Sequence, residues 1–126
     1  MRAFITPVAI LILVIGGSVW HAHAIGAYTE NCITGIDDAI RFSTAENWPA
    51  VKAALALSHT HWEKHRSYLR ITVSHSTVDA ADSMYSRAMA FAETEEITEF
   101  RAEIAGLRTL LLQLAEAERL LLENIL

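Results

Sequence analysis

ITEFRAEIAGLRTLLLQLAEAERLLLENIL, residues 97–126, sets the fold class. Ile97, Phe100, Ile104, Leu107, Leu111 and Leu114 alternate steps of three and four without a miss. That period puts all six on one face of an α-helix. Leu110, Leu112 and Leu120 to Leu122 thicken the stripe, and the ending is apolar for a free tail. A helix this one-sided needs other helices to cover it.

The preceding residues supply them. Val78, Ala81, Tyr85, Ala88 and Ala92 line one face of a helix expected over residues 77–92, with Met84 and Phe91 widening it. Thr94 is expected to cap the start of the last helix, with Glu95 and Glu96 facing its positive end. Ser76 and Asp79 resemble a cap for the third helix. A second helix is expected over residues 48–73, its stripe formed by Trp48, Val51, Leu55, Ser58, Trp62, Leu69 and Val73. Ser43 with Glu46 fits a capping box before it, and Asn47 with Pro49 in the first turn fits equally. Tyr28, Cys32, Ile36 and Ala39 or Ile40 continue the same steps in a first helix, weakened by Gly26 and Gly35. Asp37 and Asp38 fall off that stripe, towards water. No internal repeat is evident. Short turns make consecutive helices antiparallel neighbours.

Residues 3–20, AFITPVAILILVIGGSVW, are apolar and uncharged. Eighteen helical residues cover about 27 Å, against roughly 30 Å of bilayer hydrocarbon. Trp20 closes the run as an interfacial anchor, and Arg2 before it favours an inside amino terminus and an outside domain. Two readings follow: a retained anchor, or a signal peptide cleaved after Ala22-His23-Ala24. The lipoprotein reading is set aside, because Thr29-Glu30-Asn31 rather than small apolar residues precedes Cys32. A second helix of about 26 residues spans roughly 39 Å. It outruns residues 28–42, so residues 21–27 should be partly covered and the anchor retained. The expected organisation is a transmembrane signal anchor over residues 1–24, then an extracytoplasmic antiparallel four-helix bundle over residues 25–126.

The chain has 126 residues and a formal charge of −5. That balance argues against nucleic acid, which requires a basic footprint. Cys32 is the sole cysteine. It is expected as a small apolar residue in a helix seam, with intermolecular pairing the sharper alternative.

Trp48 opening a helix, Trp62 inside it, His75-Ser76 at a turn, Asp79 just after, and the ending Leu122-Glu123-Asn124-Ile125-Leu126 together resemble domain-of-unknown-function family 4363. The resemblance covers nearly the whole chain. It implies a short, membrane-anchored helical protein of the kind found mostly in Bacillota, and brings no activity, cofactor or catalytic residue. Ser74 and Val78 depart from the acidic character usual at that turn.

His61 and His65 stand four apart, a spacing at which two imidazoles can share a metal. His59 and His75 add ligands only if folding brings them near. His61-Trp62-Glu63-Lys64-His65 is not the protease motif H-E-x-x-H, since its glutamate is displaced. The plainer reading is solvated or edge histidines, with His21 and His23 at the membrane interface. Lys52, Lys64, Arg66 and Arg70 give the second helix a cationic edge, read first as rim pairing with acidic neighbours and second as a strip for anionic headgroups or a phosphate-rich polymer. Arg66 lies about 40° from Trp62, so it should pair with an acid on a neighbouring helix or snorkel. No phosphate loop, nucleophile elbow or paired-cysteine motif occurs. No catalytic residue, cofactor or metal is therefore expected. The expected role is binding or scaffolding at the cell envelope, with the bilayer and a second membrane protein as partners. The alternative is a ligand- or metal-sensing module using the histidine-rich second helix.

Overall fold

The protein is known from a computed structural model that describes the backbone of residues 2–72 and 74–125. Side chains at 2, 4, 21–28, 65, 68, 70–72, 118, 121, 122 and 125 lie outside the described set. The described residues form four helices: α1 Arg2–Thr44, α2 Trp48–Thr72, α3 His75–Glu93 and α4 Ile97–Ile125. Among the described residues there is no strand.

The helices form a ring. Each packs on its chain neighbours and α4 closes on α1, while large side chains meet across the centre, as where the Trp48 and Phe100 rings stand edge to face at 5.7 Å. The expected stripes face inward. Trp48, Val51, Leu55, Ser58, Trp62 and Leu69 of α2 are buried, as are Val78, Ala81, Tyr85, Ala88 and Ala92 of α3. In α4 Phe100, Ile104, Leu107, Leu111 and Leu114 are buried, and α1 contributes Cys32, Ile36 and Ala39. Each large apolar side chain withdrawn from water contributes roughly 1.5–3 kcal/mol, so this core is the main source of stability. Leu112 and Leu120 are 42% and 48% exposed and do not thicken the stripe as expected. Tyr28, Val73, Leu121 and Leu122 lie outside the described side chains.

The caps differ from expectation. Asn47 caps α2, its Oδ1 accepting from the Ala50 amide at 3.4 Å. Ser43 forms no capping box, because its hydroxyl is buried and donates back to the Ile40 carbonyl at 2.6 Å. Thr94 does not start α4: its hydroxyl donates to the Ala90 carbonyl at 3.2 Å, at the end of α3, and Glu96 occupies the cap position, its carbonyl accepting from Phe100 at 2.9 Å. α3 begins two residues earlier than expected, with Ser74 at its cap position and no side-chain cap bond.

The two turns at the far end of the bundle share one geometry. Asn47 donates to the Phe42 carbonyl and Glu46 to that of Ser43; Glu96 donates to Phe91 and Glu95 to Ala92. Glu46 and Glu95 both adopt the left-handed conformation, at φ 55° and 56°. This is the Schellman ending, in which a left-handed residue lets the last carbonyls find donors. The correspondence continues at a constant offset of 49 residues (95 − 46). Buried Cys32, Ile36, Ala39 and Ser43 match buried Ala81, Tyr85, Ala88 and Ala92. Val51, Leu55, Ser58 and Trp62 match Phe100, Ile104, Leu107 and Leu111, also buried. The bundle therefore consists of two equivalent helical hairpins, contrary to the expectation of no repeat. Few identities, such as Ala39 with Ala88 and Phe42 with Phe91, survive to mark it.

α1 runs without a break through residues 24 and 25. In its first half, apolar residues are exposed all round: Ile5 65%, Leu11 58%, Leu13 74% and Trp20 68%. Among the described residues no helix is long and apolar enough to cross a membrane.

Candidate functional site in the seam between α2 and α3

The two hairpins meet along two seams, α1 against α4 and α2 against α3, which the repeat makes equivalent. Their contents differ. In the α1/α4 seam, Ile36 and Leu107 occupy the middle, and Arg108 Nε donates to Asp37 Oδ1 at 2.7 Å on the outside. The matching middle of the α2/α3 seam holds Tyr85 and Ser58. Two mid-sized side chains are thus replaced by one large and one small, which conserves volume and introduces two hydroxyls.

Those hydroxyls are satisfied. Ser58 Oγ donates to the Cys32 carbonyl at 2.7 Å and lies 2.7 Å from the Tyr85 hydroxyl. Serine has one proton to give, so Tyr85 donates to Ser58. Burial pushes the Tyr85 phenol well above its usual range, and the neighbouring Cys32 adds to the rise. Burial likewise pushes the Cys32 thiol from 9.0 up to about 11, opposed by a hydrogen bond with Tyr85. A thiol so protonated and enclosed is no nucleophile, which supports the reading of Cys32 as a packed small residue.

One turn along, Trp62 Nε1 donates to Asp82 Oδ1 at 2.7 Å, and Arg66 Nη1 stands 3.6 Å from Asp82 Oδ2. Arg66 thus pairs with an acid on a neighbouring helix, as its angle from Trp62 suggested. The Trp62–Asp82 bond was not expected, because no periodicity marks an aspartate as the partner of a core indole.

His59 is half-buried. Its ring lies 5.1 Å from that of Tyr85, and Nε2 is 3.6 Å from Glu63 Oε1. Beside it opens a groove of about 260 Å³ lined by His59, Tyr85, Ser86, Met89, Ala90 and Glu93. His61 is half-buried, His75 exposed, and the His65 side chain lies outside the described set, as do those of His21, His23 and Arg70. Among the described residues no three histidine, cysteine or acidic side chains converge to hold a metal ion. Lys52 is half-buried and Lys64 exposed. Among the described residues, Arg66 is engaged by Asp82 and so is not part of a free cationic strip.

A family model matches residues 19–125. The chain belongs to the domain of unknown function family DUF4363. The match takes in the second half of α1 with the whole of α2 and α3 and nearly all of α4, so the DUF4363 unit is the ring of helices together with the part of α1 that enters it. No curated protein and no solved structure matches the chain.

Proposed function

We propose that this DUF4363 protein is a membrane-anchored, extracytoplasmic binding or scaffolding module, held by the first half of α1. The observation that carries the reading is exposure. Nine large apolar residues between Ile5 and Trp20 are 39% to 74% exposed, on every side of the helix. A helix apolar all round belongs inside a bilayer or a protein core, and the bundle covers none of these nine. The sequence places 18 uncharged residues in the run, about 27 Å of helix, with Arg2 before it and Trp20 at the interface. Because α1 continues unbroken into the bundle, the anchor and the core share one element.

The binding role is supported by the groove that opens between α2 and α3. Cys32 is buried and its thiol is held protonated, so it offers no nucleophile to that groove. Cross-linking in native membranes tests the role: one stoichiometric membrane-protein partner supports it. The chain recovered only as itself, at every cross-linker length, would count against it.

A further inference from the structure

The repeat supplies an internal control for the groove between α2 and α3. The matching positions on the α1/α4 seam are Arg108 for His59, Asp37 for Ser86, Arg41 for Ala90 and Thr44 for Glu93. There an ion pair crosses the seam. The Arg108 guanidinium reaches Asp37, and Arg41 lies over the Phe42 ring at 5.1 Å while pairing with Asp38 at 3.1 Å. On the α2/α3 side the two matching long side chains are an imidazole and a methyl group, and the groove is the space they leave. At about 260 Å³ it falls below the range of drug-sized pockets and suits one long side chain.

We propose that this groove receives an arginine or lysine side chain from a protein partner. Its stem would cross Met89 and Ala90, and its charge would meet Glu93 at the groove's end. The charge balance favours a cation. Glu93 lies at the groove's end, Glu95 and Glu96 follow in the adjoining turn, and among the described residues no cation pairs with any of the three. The partner's side chain would restore on this seam the cation that Arg108 supplies on the other. The proposal rests on the reading of the protein as a binding module and locates the contact.

The test uses the full chain in detergent micelles, titrated with acetyl-Leu-Arg-Leu-amide and watched by amide chemical shifts. Saturable shifts at Ser86, Met89, Ala90 and Glu93 are expected. Glu93→Gln should weaken binding by about two- to fivefold, the range for a partly exposed ion pair. Ala90→Arg, which copies Arg41 onto an exposed site, should abolish it. Equal shifts with the glutamine analogue of the peptide, shifts spread over Glu46, Glu95, Glu96 and Glu99, or no shifts would each overturn the proposal. In native membranes, a partner that still cross-links to Ala90→Arg would refute the groove while leaving the binding role intact. Absence of any partner for the unaltered chain would instead strike the role itself.

Discussion

Ser58 occupies the place that Leu107 holds in the other hairpin, and losing those carbons makes the room that Tyr85 fills. Tyr85→Phe keeps the volume and removes one buried donor, leaving Ser58 bonded to the Cys32 carbonyl. A cost of about 1 kcal/mol in denaturant unfolding is expected. Cys32 gives a pH signature. Its thiol rises from 9.0 to about 11 on folding, so the folded chain holds a proton that the unfolded chain releases above pH 9. Stability from this group is fully present below pH 9 and falls as pH climbs towards 11. Unfolding followed across that window should show the decline, and Cys32→Ala should reduce its slope. At the far turns, Glu46 and Glu95 stand in the left-handed region, which costs a side chain roughly 1–2 kcal/mol. Glu46→Gly should therefore raise the melting temperature, even after the added freedom of glycine in the unfolded chain. The sequence shows two glutamates in polar turns, and nothing in it marks a positive φ. Serine at 58 was legible as part of a stripe, whereas the hydroxyl chain was not, because hydrogen bonds between helices leave no period.

Among the elements, α2 and α4 were the most legible, since their apolar positions follow the helical period over most of their length. Helix ends were the least legible. Thr94 can cap either the helix before it or the one after, and the backbone of the Schellman turn decides in favour of α3. Gly35 looked like a weak point in α1 and is a contact point: a Cβ there would stand 2.7 Å from the Ser58 Cβ and 3.2 Å from the Ala54 carbonyl. Gly35→Ala improves helix propensity by up to about 1 kcal/mol, but forcing α1 and α2 apart costs about 1–3 kcal/mol. Net destabilisation is expected, checked by thermal unfolding beside Gly106→Ala, whose nearest neighbour is a flexible methionine end at 3.9 Å. Arg66→Ala removes a partner from an aspartate that also accepts from Trp62. A loss of about 1 kcal/mol or less is expected, since the guanidinium is 43% exposed.

On the scale of the whole molecule, the duplicated hairpin accounts for the ring. Two alike amphipathic hairpins bury each other's stripes, and the seams at which they meet differ in content, Tyr85 and Ser58 at α2/α3 against Ile36 and Leu107 at α1/α4. The sequence hid the repeat because the matched positions conserve burial and not identity: serine for leucine, tyrosine for isoleucine, tryptophan for leucine. The first half of α1 stands outside this symmetry, since nothing precedes α3 in the second hairpin to match it. A bilayer is the proposed environment for that exposed apolar surface, and retention of the segment is the claim on which the rest of the reading hangs. The most direct measurement is the intact mass of the chain recovered from native membranes after an alkaline carbonate wash. The expected result is the full 14.0 kDa chain in the pellet. A chain beginning at Ile25, or the full chain released into the supernatant, would contradict it.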